Sequence, residues 1–240
     1  MLVLQINISN NEDHDSGSDP PGTAAERAVE RSLAGRRATY AAEIERLVEA
    51  TFQLIRESGE VEPRVSEIVR VAGLSNQAFY RHFRSKHELL VAVLDSGIEQ
   101  LASYLTHRMA AAPDPVAATR EWMRGMAEQA LNPEAAAATR PFALARGRLA
   151  ESHPEEVAQT ERRLTEPLRR AIQEASRMGL LEAGDPGARA EALYHLAMGW
   201  MQARLLEPDG RHRQSAEQLE NFALAGLGAV PAQRDATAGA

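Results

Sequence analysis

Apolar residues recur every three or four positions along most of the chain, which is the spacing of amphipathic α-helices. One such stripe runs from residue 40 to 58. A shorter stripe covers residues 64–72 and stops at Gly73, a residue that accepts the left-handed conformation of a helix end. Ser75 then provides an N-cap, and Ala78, Phe79 and Phe83 an apolar side, for a second short helix. The pattern therefore predicts a helix–turn–helix within residues 64–82.

Longer helical stripes follow this motif, each bounded by proline, glycine, asparagine or serine. They cover residues 85–108, 115–131, 135–152, 154–178, 185–206 and 215–227. Pro167 lies inside one of them and predicts a kink or a split there. The fold class that follows is all-α, with about nine helices. It consists of a three-helix head at residues 40–84 and a larger helical body at residues 85–230.

The two ends of the chain lack this periodicity. Residues 10–23 are rich in Asn, Asp, Ser, Gly and Pro, which is typical of a solvated linker. We therefore predict a disordered N-terminal arm at residues 1–39 and a flexible tail at residues 231–240. No apolar run approaches the roughly 18–20 residues that a bilayer crossing needs, and no signal peptide is recognisable. These features lead us to expect a cytoplasmic, nucleoid-associated protein.

Composition argues against an enzyme. The chain has no cysteine, which excludes disulfides, a thiolate nucleophile and a cysteine-based metal site. Its histidines lack metal-ligand spacing, and no phosphate-binding glycine loop or nucleophile elbow occurs. Glu43, Glu45 and Glu49 are interpreted as an ordinary charged helix face. We expect no catalytic residue, no metal and no cofactor.

The charge is unevenly distributed. The net charge is −7, yet residues 64–87 carry five Arg or Lys residues against the single acid Glu67. Lys86, the only lysine, falls in the first turn of a helix, where an ammonium and free backbone N–H groups together hold phosphate. Amide, phenol and basic side chains face outward from the second short helix, and these suit base edges and phosphates: Ser75, Asn76, Gln77, Tyr80, Arg81 and His82.

The stretch AGLSNQAFYRHFRSKHELL resembles the DNA-binding signature of the tetracycline-repressor (TetR) family of transcriptional regulators, and the resemblance extends over roughly residues 44–98. It implies a homodimer formed through the last two helices, a double-stranded DNA operator and a small-molecule effector. It also implies phosphate contacts for Tyr80, His82 and Lys86. One departure stands out, because Pro63-Arg64 occupies the place of the Thr or Ser that usually caps the first helix of the motif.

The predicted function is a ligand-responsive transcriptional regulator that binds a pseudo-palindromic operator as a dimer. A repressor is the preferred form of this prediction. Asn76, Gln77 and Arg81 are expected to face bases. Tyr80, His82, Lys86 and Arg64 are expected to hold phosphates, with Ser75 beside them at the helix start. The alternative is a small-molecule carrier or a dimeric interaction module without sequence-specific DNA binding.

The middle helices suggest an adaptable apolar cavity because they are rich in Met and aromatic residues. The candidate ligand-binding residues are Trp122, Met123, Met126, Phe142, Arg146, Tyr194, Met198 and Trp200. An apolar, acyl-type or polycyclic effector would fit them, and an arginine suits an acidic group on it. The alternative for each apolar residue is plain core packing, and for Arg146 a surface ion pair.

Overall fold

The computed structural model describes residues 23–152, 154–206 and 214–229. Within these ranges the chain forms nine α-helices and no strand, which confirms the predicted all-α class. The helices are α1 Ala24–Ser58, α2 Val65–Ala72, α3 Asn76–His82, α4 Lys86–Ala110, α5 Pro115–Leu131, α6 Pro133–Ser152, α7 Pro154–Arg177, α8 Pro186–Leu206 and α9 Ala216–Gly226.

The described residues 23–41 form one unit. The described part is helical from Ala24 onward, so the prediction of a disordered arm is wrong for residues 24–39. A capping box starts the helix: the Thr23 N–H donates to the Glu26 carboxylate at 2.6 Å, and the Glu26 N–H donates to the Thr23 hydroxyl at 3.3 Å. The Ala, Glu and Arg residues that follow favour helix. Residues 1–22 and the predicted tail at 231–240 lie outside the described residues.

The described residues from 42 onward form the second unit, in which head and body are joined by shared contacts. The head core draws apolar side chains from α1, α2, α3 and the start of α4: Leu47, Ile55, Ile68, Val69, Phe79, Phe83, Leu89, Leu90 and Val93. Leu89, Leu90 and Val93 thus join the head core although they follow residue 84, the predicted end of the head. Because the first turns of α4 are buried in the head, this helix links the head directly to the body.

The body is built around α5, which packs against α4, α6, α7, α8 and α9. Its largest core cluster holds fully buried side chains of α4, α5 and α7, among them Leu105, Trp122, Met126, Leu168 and Ile172. Gly125 permits close contact between α4 and α5, since a Cβ at this position would lie 2.5 Å from Leu105 Cδ2. Among the helices of the described ranges, none is long and apolar enough to cross a membrane.

Three helices of the body begin at a residue whose side chain caps the helix N-terminus. Asp114, Asn132 and Asp185 each accept backbone N–H groups two and three residues later, at distances between 2.7 and 3.2 Å. The split expected at Pro167 does not occur, because α7 is one helix from Pro154 to Arg177. Buried Leu164 and Leu168 hold the turns on either side of this proline in the body core.

An ionic network joins α4, α5 and α9. Arg108 of α4 lies 2.7 Å from Glu121 of α5, and Arg124 lies 2.6 Å from the same carboxylate. Arg124 also reaches Glu220 of α9 at 3.1 Å. The Glu220 side chain is only 3% exposed, so it depends for compensation of its charge on Arg124 and on Arg120, whose Nη1 lies 3.7 Å away. The network connects the helix that enters the head with the last described helix.

Candidate nucleic-acid interface

The turn between α2 and α3 has the geometry that its sequence predicted. Gly73 adopts φ 63°, ψ 37° as the C-cap of α2. Arg46 of α1 caps the same helix end, donating from Nη2 to the carbonyls of Ala72 at 2.5 Å and Gly73 at 3.0 Å. A Cβ at Gly73 would lie 2.9 Å from this Nη2 atom. The angle between the two short helices is thus held by a guanidinium that nothing in the sequence motif indicated.

The second helix of the motif presents one buried and one exposed side. Ser75 caps it, its hydroxyl accepting the Ala78 N–H at 3.1 Å. Ala78 and Phe79 are buried in the head core. Asn76 and Gln77 are exposed, and Tyr80 is 62% exposed. Since α3 is anchored by its apolar side, these exposed amide and phenol groups have fixed positions relative to the head.

The first helix of the motif starts without the usual hydroxyl. Arg64 is its N-cap in extended conformation and is exposed. The Glu67 carboxylate accepts the Arg64 N–H at 3.2 Å. This bond satisfies the N–H of the cap residue and does not replace the hydroxyl acceptor that Thr or Ser would provide for the first helical turn. Arg64 is exposed at the surface.

His82 departs from the expectation that it faces outward. Its side chain is only 4% exposed, and its Nε2 lies 2.5 Å from Glu43 Oε2 of α1. A carboxylate only accepts hydrogen bonds, so Nε2 carries the donated proton. Arg81, 44% exposed, lies 3.5 Å from the same Glu43 oxygen through Nη1. The end of α3 is therefore tied to α1 through Glu43.

The Glu43 carboxylate is a charged part of this surface. The hydrogen bond from His82 lowers the pKa of the Glu43 carboxyl, and the positive charge of Arg81 lowers it further, against the effect of partial burial. Its side chain is 17% exposed. The interpretation of Glu43 as part of a solvated helix face is therefore wrong. The sequence offered no signal for this role, because Glu43 and Glu45 look alike until α3 is packed against α1.

Lys86 is also paired with an acid from outside the motif. Its Nζ lies 3.0 Å from Glu62 Oε2, and the two side chains are 28% and 51% exposed. Glu62 belongs to the loop between α1 and α2 and precedes the buried Pro63. Lys86 occupies the first turn of α4, as predicted, and Ser85 caps that helix by accepting the Glu88 N–H at 3.2 Å.

Known proteins resemble the helix–turn–helix region in sequence. Residues 47–93 match the sequence model of the bacterial regulatory proteins of the tetR family, a stretch that runs from α1 into α4 and includes the whole helix–turn–helix. Over this stretch the chain is similar to the tetR family. No protein of curated function matches the sequence.

Solved structures share the fold over about four fifths of this chain. NemR of E. coli, in its reduced form, is 25% identical, with a TM-score of 0.61 over 79% of this chain and 100% of NemR. A TetR-family transcriptional regulator of Pectobacterium atrosepticum is 24% identical, with a TM-score of 0.60 over 80% of this chain and 93% of its own. AibR, in complex with isovaleryl coenzyme A and operator DNA, is 21% identical, with a TM-score of 0.54 over 78% of this chain and 98% of AibR.

The body places the eight candidate ligand residues in different surroundings. Trp122, Met123 and Met126 are fully buried in the main core, where Tyr194 joins them. The Trp122 indole N–H donates to the Leu164 carbonyl at 3.0 Å. Met198 and Trp200 are partly buried against this core and a smaller neighbouring cluster. Phe142 packs elsewhere, with its ring 5.6 Å from Phe52 at the edge of the head core.

Arg146 is engaged in the protein itself. Its guanidinium is paired with the carboxylate of Glu161 on α7 and also interacts with the Tyr194 hydroxyl. Burial raises the pKa of the Tyr194 phenol, and the nearby Arg146 opposes this shift. The structure thus contains the alternative arrangement, an ion pair. The phenol, whose raised pKa keeps it neutral, accepts a hydrogen bond from the Arg146 guanidinium.

A cleft of about 330 Å³ opens between α4 and α7, next to the head. It is lined by Phe83, Glu88, Val91, Ala92, Leu94, Asp95, Glu156, Gln159, Thr160 and Arg163. Arg163 crosses from α7 to α4, with Nη1 2.5 Å from Asp95 Oδ1. None of the eight predicted ligand residues lines this cleft. Sequence reasoning missed it because its apolar residues belong to the same stripes that form the cores.

Proposed function

We propose that this protein is a cytoplasmic, dimeric transcription regulator of the TetR family that binds a near-palindromic DNA operator through α3 and is released by a small effector. The observation that carries the proposal is the arrangement of α3. Asn76, Gln77 and Tyr80 are exposed on a helix whose other side, through Phe79, is fully buried in the head. A helix of this kind can enter a major groove with its polar side chains already in position.

Within this proposal, base contacts come from Asn76, Gln77 and Arg81, since amides suit adenine edges and guanidinium suits guanine edges. Tyr80, Lys86 and Arg64 contact phosphates, and Ser75 stands at the helix start beside them. His82 contributes differently from the sequence expectation, because its ring is bonded to Glu43. It fixes the end of α3 and does not offer an exposed donor to phosphate.

The proposed dimer forms through α8 and α9. Leu206 is 53% exposed and Phe222 is 64% exposed, which is a high solvent exposure for large apolar side chains. Gly199 and Gly226 belong to the same two helices, and a Cβ at either would meet no atom within 4 Å. A two-fold interface that covers these positions would place two copies of α3 about 34–36 Å apart, one DNA turn.

The proposed effector site is the cleft between α4 and α7. Its volume of about 330 Å³ suits a small molecule. The apolar part of its lining consists of Phe83, Val91, Ala92 and Leu94, and polar or charged side chains, among them Asp95 and Arg163, form the rest. AibR, of the same fold, was crystallised with isovaleryl coenzyme A, which makes a short acyl group a reasonable probe. An occupant of this cleft would separate α4 from α7 and tilt the helix that carries the head.

Such a response is a linked equilibrium between two states. The effector and the operator each favour one position of α4, so each weakens the binding of the other by the same factor. The ionic network through Glu121 and Glu220 would transmit a shift of α4 to α9 and therefore to the dimer interface. The proposal thus requires no direct contact between effector and DNA.

Lys86→Ala tests the DNA-binding part. We expect weaker binding to every duplex, whatever its sequence, and a salt slope reduced by about one, because one phosphate contact is lost. Fluorescence anisotropy with operator and scrambled duplexes at several salt concentrations measures both quantities. Arg177→Ala, which removes a surface cation paired with Glu174 on α7, is the matched control. Unchanged affinity and slope in Lys86→Ala would contradict the phosphate contact.

Ala92→Trp tests the effector part by filling the cleft. Thermal unfolding in the presence of isovaleryl coenzyme A and longer acyl thioesters identifies a compound that raises the melting temperature of the wild type. We expect Ala92→Trp to abolish this rise. Leu144→Trp, at an exposed position of α6, should preserve it. An undiminished rise in Ala92→Trp would place the effector outside this cleft.

A further inference from the structure

Two glutamates from outside the helix–turn–helix form ion pairs with two of the cations to which the proposed function assigns DNA contacts. Glu62 is 3.0 Å from Lys86, and Glu43 is 3.5 Å from Arg81. A carboxylate offers an ammonium or a guanidinium the same charged acceptor oxygens that a DNA phosphate does. In the free protein, two of the cations proposed to contact DNA are therefore already paired within the chain.

The two acids differ in how firmly they are held. Glu62 is 51% exposed, on a loop whose next residue, Pro63, is buried. The anchored backbone keeps Glu62 within reach of Lys86, while its exposed carboxylate is accessible to solvent and screened by salt. Glu43 is 17% exposed and accepts a hydrogen bond from the 4% exposed His82 ring. Phosphate can thus displace Glu62 from its cation far more readily than it can displace Glu43.

We infer that Glu62 is a built-in competitor of DNA phosphate for Lys86, and that Glu43 is a positioning residue that orients Arg81 on α3. The inference rests on the proposed DNA-binding function and concerns its selectivity. Competition by Glu62 weakens binding to all sequences alike, since the Lys86 contact carries no base information. Orientation of Arg81 by Glu43 changes the affinity for some DNA sequences more than for others, because Arg81 faces bases.

The consequence for the protein is a division of roles between the two acids. Any duplex must displace Glu62 before Lys86 is available, which lowers the background of non-specific binding. Only a duplex that matches the held position of Arg81 gains the full set of base contacts. The lowered pKa of Glu43 keeps its carboxylate ionised at neutral pH, so this support for Arg81 persists during binding.

The test compares Glu62→Gln, Glu43→Gln and a control of equal charge change, Glu174→Gln, which breaks the 2.6 Å ion pair with Arg177 on α7. The probes are an operator duplex selected from random DNA and a scrambled duplex of the same length and composition. Anisotropy titrations of the full chain between about 50 and 200 mM salt give the affinity for each.

For Glu62→Gln we expect tighter binding to both duplexes by one common factor, roughly 3- to 10-fold at low salt. In a Lys86→Ala background this gain should disappear, because the competitor then has no contact to block. A gain no larger than that of Glu174→Gln, or one that persists without Lys86, would overturn the competitor role.

For Glu43→Gln we expect a lower ratio of operator to scrambled affinity, by about 10-fold or more, since one oriented base contact accounts for about that much discrimination. A ratio equal to that of the wild type would refute the positioning role. Failure of the wild type to bind any duplex would instead refute the proposed function, so the two failures are distinguishable. Far-ultraviolet circular dichroism of each variant verifies that it is folded.

Discussion

Phe222→Glu is expected to separate the subunits and to reduce operator affinity by about 10²- to 10⁴-fold, because each separated head then binds its half-site without the gain from linkage. Phe222 is 64% exposed on α9, where the proposed interface would cover it. A carboxylate at this position would have to be buried against its own copy across the two-fold axis. Sedimentation velocity measures the subunit state, and anisotropy measures operator affinity.

Met178→Glu is the matched control for this substitution. Met178 is also a large exposed apolar residue, 56% exposed just after α7, and the change adds the same charge. We expect it to remain dimeric with nearly normal operator affinity. A Phe222→Glu protein that sediments as a dimer and binds operator like the wild type would show that α9 is not in the interface.

Trp122→Ala is expected to lower the free energy of unfolding by about 3–5 kcal/mol, because it leaves a large cavity in the body core. For a chain of this size the melting temperature would fall by roughly 6–20 °C. Trp122 is fully buried, and its indole N–H bonds the Leu164 carbonyl of α7. Differential scanning calorimetry measures the shift.

This result also separates two interpretations of Trp122. A core residue destabilises the free protein when truncated, whereas a residue that lines an effector cavity costs less stability and changes effector binding instead. Met123→Leu serves as a mild control, because it nearly preserves volume at a fully buried neighbour. A fall of less than 1 °C in Trp122→Ala would contradict the core assignment.

Much of the local structure was predictable, because its causes lie within a few residues along the chain. The helix at residues 115–131 was predicted and observed with the same bounds, since Asp114 caps it and Asn132-Pro133 ends it. Gly73 and Ser75 fix the turn of the motif for similar reasons. The helix at residues 24–39 was missed, although its capping box at Thr23 and Glu26 was visible in the sequence.

The role of Pro167 shows where local rules are insufficient. Proline removes a helix hydrogen bond, and the sequence therefore favoured a kink or a split. In the folded protein α7 continues through it, with Leu164 and Leu168 buried on either side. Tertiary burial of one helix face outweighed the local penalty, which no inspection of residues 163–171 alone could establish.

The candidate effector site was the least predictable feature. Periodicity identifies which residues are apolar on a helix, but it does not tell a packed face from the wall of a cleft. Trp122 and Met126 look like cavity residues in the sequence and lie buried in the body core cluster, whereas Val91 and Ala92 look like core and line a cleft. The difference depends on the distance between α4 and α7, a property of the assembled body.

By itself the sequence determined the all-α class, the positions of most helix ends and the identity of the exposed side chains on α3, because hydrophobic periodicity and end-capping act over a few residues. Only the tertiary structure decided that His82 turns inward and that Arg46 holds the turn of the motif. It also decided that Glu43 pairs with Arg81 and that Glu62 pairs with Lys86. The physical reason is that charges interact through space. The excess of positive charge counted along residues 64–87 is partly neutralised by two carboxylates that the count could not include.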